Sequence, residues 1–183
     1  MPDDRPRDVS DPSSGQRWVF LQTGADTGGD LLEAELHVSP GGFVRSHVHP
    51  TQEETFTGVE GTFLMEVAGE TVPVRPGETV VVPSRTPHGF KAAPGPAQLR
   101  VEVRPALALD AYFRAYLGLS RDGRIRLPAT GLPRGLFQIA ALMDRYSLEI
   151  AAPGIPLAVQ RPLWRALAAA GRRPASFPEY GAP

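Results

Sequence analysis

The sequence predicts a mainly β fold followed by a helical C-terminal part. Three observations predict it. Short runs of β-forming residues separated by Gly, Pro and Asp turns fill residues 17–105. Apolar residues recur at helical spacing after Pro105. Two compact motifs inside the β region carry three of the four histidines in the chain. Many short strands with regular turns make a sandwich or a barrel.

Residues 1–16 are rich in Asp, Arg, Pro and Ser and lack the apolar stretch of a secretory signal. They are expected to be a disordered arm. Residues 17–105 are expected to form the barrel, with β-type runs at 18–21, 31–38, 54–59, 62–68, 79–82 and 99–103. Gly69-Glu70 reads as a hairpin turn between Val67 and Thr71. Residues 106–183 are expected to be a helical extension that packs on the barrel or on a dimer partner. Leu109, Phe113 and Leu117 predict a helix ending near Gly118. Leu136, Ile139, Ala140, Met143 and Tyr146 form a second stripe. Val159, Leu163, Ala166, Leu167 and Ala170 form a third, closed by Gly171. Both stripes are expected to face a core. The tail after Arg172 is Pro-rich and expected to be irregular.

Composition bounds the function classes. A chain of 183 residues with 42% hydrophobic content suits one domain with an appendage. No run of eighteen apolar residues occurs, so no membrane-spanning helix is expected. With no export signal, the cytoplasm is the expected location. The absence of cysteine removes disulfides, thiolate ligands and thiol nucleophiles. A net charge of −1 argues against a general nucleic-acid binder. The charge is uneven, however. Residues 1–105 hold nine Lys or Arg against fifteen Asp or Glu, and residues 106–183 hold ten against five. Opposite signs favour docking of the extension onto an acidic barrel, and solvated arginines are the plain alternative.

The chemistry sits in the two motifs. Residues i and i+2 on a strand share a face, so His47 and His49 can reach one point. Pro50, Thr51 and Gln52 read as a turn. Glu54 then opens the next strand and can place a carboxylate oxygen beside the two imidazoles. Adjacent Glu53 points the other way and reads as a solvated charge. His88 must arrive from another strand. Three nitrogens and one oxygen suit Fe(II), Mn, Co, Ni, Zn or Cu better than Mg or Ca. His37 has no motif partner and reads as a surface or rim histidine. Arg45, Phe56 and Phe90 each lie two residues from a candidate ligand and are candidate substrate-binding residues. Arg45 could hold an anionic group through its planar fork, or simply sit at the rim. Phe56 and Phe90 would make the pocket apolar, or serve only as core.

These motifs resemble those of the cupin superfamily. Gly41, His47, His49, Glu54 and Gly61 match its first motif, in the variant with four residues before the glutamate. Gly77, Pro83 and His88 match its second, with Arg85 in place of a glycine and Ala92 in place of an asparagine. The Arg85 exchange puts the loop shape before His88 in question. The resemblance covers roughly residues 18–105. It implies a double-stranded β-helix, a jelly-roll barrel, ligating one divalent metal through His47, His49, Glu54 and His88. It also implies a homodimer. Cupins include dioxygenases, isomerases, decarboxylases, cyclases and non-enzymatic binding modules, so the fold does not fix the reaction. The expected function is a small-molecule oxidoreductase of the dioxygenase kind using Fe(II), with Glu54 as ligand and as catalytic base. A redox-silent isomerase or cyclase and a non-catalytic ligand-binding cupin are the alternatives.

Overall fold

A computed structural model describes residues 4–128 and 133–182. The β region contains ten strands: β1 Asp8–Asp11, β2 Gln16–Gln22, β3 Leu32–Val38, β4 Phe43–His47, β5 Glu53–Glu60, β6 Phe63–Val67, β7 Glu70–Val74, β8 Thr79–Val82, β9 His88–Ala92 and β10 Ala97–Arg104. They form a six-stranded sheet ordered β1-β2-β3-β10-β5-β8 and a four-stranded sheet ordered β4-β9-β6-β7. All the strand pairs within the two sheets are antiparallel.

Alternation fixes which residues enter the space between the sheets. Leu32, Ala34, Leu36 and Val38 of β3 are buried, and so are Ala97, Leu99, Val101 and Val103 of β10. The register sets Leu99 against Leu36 and Val101 against Ala34, so apolar side chains meet on one face and Glu33, Glu35, Arg100 and Glu102 take the other. The second sheet contributes Phe63, Met65, Val74 and Phe90, with Phe63 and Phe90 packed edge to face at 5.5 Å.

One turn and the N-terminal arm differ from expectation. The β6–β7 hairpin turns at Ala68-Gly69, one residue earlier than predicted. Both residues have positive φ, as a two-residue hairpin loop of this hand requires, and this keeps Val72 opposite Met65. The N-terminal arm is corrected as well. Asp8–Asp11 is a strand paired with β2, and Arg114 Nε donates to the Pro6 carbonyl at 2.9 Å.

A short helix, α1 Gly24–Thr27, lies between β2 and β3, and the extension holds α2 Leu109–Arg121, α3 Leu136–Arg145 and α4 Leu157–Ala170. Trp18 of β2 stacks on Phe113 of α2 with ring centroids 4.1 Å apart, so α2 covers the β1–β2 end of the larger sheet. Helix α2 runs past Gly118 to Arg121. Gly118 is a contact point instead of a stop, because a Cβ there would lie 2.3 Å from the Tyr180 ring. The Pro-rich tail packs down too, burying Phe177. In α3, Ile139 and Ala140 are buried as expected, whereas Leu136 is exposed. The third stripe is corrected in all but Leu167, which packs partly buried against the core. Val159 and Leu163 of α4 are 55% and 48% exposed, and the residues α4 buries are Gln160 and Ala168. Helical spacing finds an apolar face but not the surface it meets. Among the described residues, no helix is long and apolar enough to cross a membrane.

Candidate metal centre

Three separate backbone segments bring the site together. His47 ends β4, and His49 follows in extended backbone two residues on. Glu54 lies on β5 opposite Val103 of β10 and Val82 of β8, in the second position of its strand. His88 opens β9 directly opposite His47. The predicted ligand atoms of His47, His49, Glu54 and His88 all lie within 4.8 Å of one another. His47 Nε2 is 3.2 Å from His49 Nε2. Glu54 Oε2 is 3.3 Å from His49 Nε2 and 2.7 Å from His88 Nε2.

Each imidazole is oriented by its other nitrogen. His47 Nδ1 donates to the Arg45 carbonyl at 2.9 Å, His88 Nδ1 donates to the Thr86 carbonyl at 2.9 Å, and His49 Nδ1 donates to the Glu149 carbonyl. A carbonyl only accepts, so each Nδ1 carries the hydrogen, and in the neutral ring each Nε2 is left with an inward lone pair. In that form the three Nε2 atoms and the carboxylate make a four-member ligand set. Two ligands about 2.1 Å from one ion at a right angle stand about 3.0 Å apart, close to the 3.2, 3.3 and 2.7 Å of these three pairs. The residues therefore fit one divalent transition metal, and the tethered Nδ1 atoms are the usual support of a ligating histidine.

The electrostatics follow from burial. Burial holds the His47 imidazolium down, aided by His88 and His49, so its pKa falls to about 3. Burial also disfavours the His49 cation, but the Glu54 carboxylate outweighs this and moves His49 above its ordinary value. Burial works against the Glu54 anion, yet His49 and then His88 hold its pKa well below the usual carboxylate range.

Of the other predicted residues, Phe56 and Phe90 are buried in the core, and the Phe56 ring is 6.1 Å from the His88 ring. Arg45 is corrected. Between the Val44–Phe90 and His47–His88 pairs, β4 spends two residues, Arg45 and Ser46, where β9 spends only Gly89. This bulge breaks the alternation and turns Arg45 outward, where it is exposed. A Cβ at Gly89 would sit 2.7 Å from the Val44 carbonyl oxygen, so only glycine lets the bulge close. His37 stays outside the centre, 3.4 Å from Glu35, and Glu53 is exposed. Arg85 adopts φ +66°, the left-handed conformation that glycine favours. Its N–H donates to the His49 carbonyl at 2.8 Å and its Nε to the Pro50 carbonyl at 3.3 Å, so the loop ties back to the ligand segment despite the exchange.

Two residues escaped the sequence. Gln52, read as part of a turn, is buried, and its Nε2 donates to the Pro105 and Ala106 carbonyls at 2.9 and 3.0 Å. That pins the amide and leaves its buried Oε1 without a hydrogen-bond partner among the described residues. Glu149 supplies the carbonyl for His49 from 100 residues away, and no local motif could announce it. A surface cavity of about 400 Å³, lined by Asp11, Arg17, His37 and Glu60 among others, lies apart from all four candidate ligands.

Residues 34–104 match the family model described as Cupin domain. The chain thus carries a cupin domain, a mainly β barrel followed here by C-terminal helices. Solved structures of similar shape include KdgF from Halomonas sp., 23% identical over 54% of this chain and 86% of that one, with a TM-score of 0.48. An RmlC-like cupin from Shewanella frigidimarina is 21% identical over 58% of this chain and 88% of that one, TM-score 0.48. A predicted oxalate decarboxylase from Thermotoga maritima is 18% identical over 55% of this chain and 92% of that one, TM-score 0.49. A search of curated proteins finds no match.

Proposed function

We propose that this chain is a mononuclear metal enzyme, a small-molecule oxidoreductase of the dioxygenase kind, with His47, His49, Glu54 and His88 as ligands. The observation that carries it is the gathering of three Nε2 atoms beside the Glu54 carboxylate, each ring fixed by an Nδ1–H bond to a backbone carbonyl. Bound Fe(II), the preferred ion, would supply dioxygen chemistry.

The surrounding residues favour this over acid–base isomerisation. An isomerase needs a placed acid and base. The other buried charged groups among the described residues are engaged elsewhere. Asp11 binds Ser13, Asp110 pairs with Arg114, and the Glu149 carboxylate accepts the Ala108 N–H. Glu54 is then the one carboxylate in the centre able to move a proton at a substrate atom. Phe56 and the other buried apolar side chains give the centre apolar surroundings, in keeping with a small, largely apolar substrate. A homodimer belongs to the same reading.

Metal analysis of the purified chain, followed by oxygen-uptake assays of the Fe(II)-loaded form against a small-molecule panel, tests it. One equivalent of metal is expected, falling at least about 100-fold in affinity in His88→Ala, because even the partners of ligands are each worth about 10–100-fold. Turnover without oxygen uptake would favour the isomerase or cyclase. Binding without turnover under any metal would leave a ligand-binding cupin.

A further inference from the structure

We propose that residues 146–152 of the helical extension are a positioning device for the metal centre, with Glu149 setting the orientation of His49. This rests on the metal-binding reading above. His47 and His88 take their Nδ1 partners from carbonyls two residues away, so the barrel orients them unaided. His49 takes its partner from the extension.

The segment is held to the ligand strand and to two helices. Val48 N–H donates to the Ala151 carbonyl and Ala151 N–H to the Val48 carbonyl, both at 3.0 Å, so it adds a short β-bridge beside His49. The buried Glu149 side chain accepts the Ala108 N–H at 3.2 Å, at the start of α2. On the other side, buried Gln160 of α4 accepts the Ala152 N–H at 2.9 Å and donates to the carbonyls of Ala152 at 2.9 Å and Ile155 at 2.6 Å. Tyr146 is buried against Tyr112 with ring centroids 5.7 Å apart. Movement of α4 is therefore transmitted through Gln160 and Ala152 to the Ala151 bridge and the Glu149 carbonyl. Loss of that carbonyl frees the His49 ring to turn and lets the hydrogen move to Nε2, which removes a donor from the centre.

The test uses the full chain with Co(II) as probe. Affinity is read by competition titration, and the His49 Nδ1 proton by nitrogen-edited NMR. Circular dichroism checks the fold of each variant. Glu149→Ala and Gln160→Ala loosen the segment from opposite sides without touching the four donors. Each is expected to weaken Co(II) binding about 10-fold or more and to shift or broaden the His49 Nδ1 proton. Glu149→Gln keeps an oxygen for the Ala108 N–H and should stay within about threefold of wild type, at the low end for one retained hydrogen bond. Leu163→Ala, on the exposed side of α4, should change nothing. Folded Glu149→Ala and Gln160→Ala proteins that bind Co(II) like wild type, with the His49 signal unmoved, would overturn the proposal alone. A wild-type chain that binds no Co(II) would bring down the metal reading as well.

Discussion

Strand β10 buries Ala97, Leu99, Val101 and Val103 between two paired neighbours, whereas helix α4 buries only Gln160 and Ala168 along fourteen residues. The strand is held by ladders on both edges and by apolar contacts across the barrel. The helix holds its end of the molecule through α3 and through Gln160, whose amide meets two backbone carbonyls and one N–H. The barrel thus draws its cohesion from non-directional burial, which is large and forgiving. The last helix leans on directional polar contacts, which are smaller and fail abruptly when one partner goes.

Substitution of a buried barrel residue should have the largest effect. Phe63→Ala removes a fully buried ring between β7 and β9 and should destabilise the chain by about 3–5 kcal/mol in urea unfolding. A loss below about 1 kcal/mol would show that the barrel is not the stable half.

The centre should add a smaller, pH-dependent contribution to the chelated protein. His47 stays neutral in the folded chain down to about 3 but protonates near 6.5 when unfolded, so the unfolded state takes up that proton first. Stability is therefore lost as pH falls from 6.5 towards 3. The depressed Glu54 adds to this loss below its ordinary 4.5. His49 acts in the other direction. Its raised pKa gives stability that is present below 6.5 and lost as pH rises through the folded value. The centre's stabilising effect should peak near 6.5. Unfolding series across pH on wild type and a His47→Ala, His49→Ala double variant would show it. Parallel curves would mean that the centre does not titrate in this way.

The exposed face of α4 should respond least. Val159→Ala and Leu163→Ala should each change stability by no more than about 0.5 kcal/mol, because both side chains already meet solvent. A concentration-dependent loss in thermal melting would reveal that a second copy covers this face, and the contrast between the two regions would then narrow.

The sequence alone determined the strand-rich barrel and the four donors that meet in it. The strands and the His47–His49 pair are local: alternation sets a face, Pro50 ends the His47–His49 run, and glycines such as Gly61 mark turns, here at φ +71°; His88 was joined to them by the resemblance of its motif. Tertiary structure decided the rest. The pairing of β4 with β9 placed the bulge that turned Arg45 away, and no residue in β4 announces it. The outward face of α4, the packing of Gly118 on Tyr180 and the bond from His49 to Glu149 depend on which distant surfaces meet. A periodicity records that a side chain is apolar or shares a face with its neighbour. It carries nothing about what stands opposite, because that is set by the docking of segments far apart in the chain.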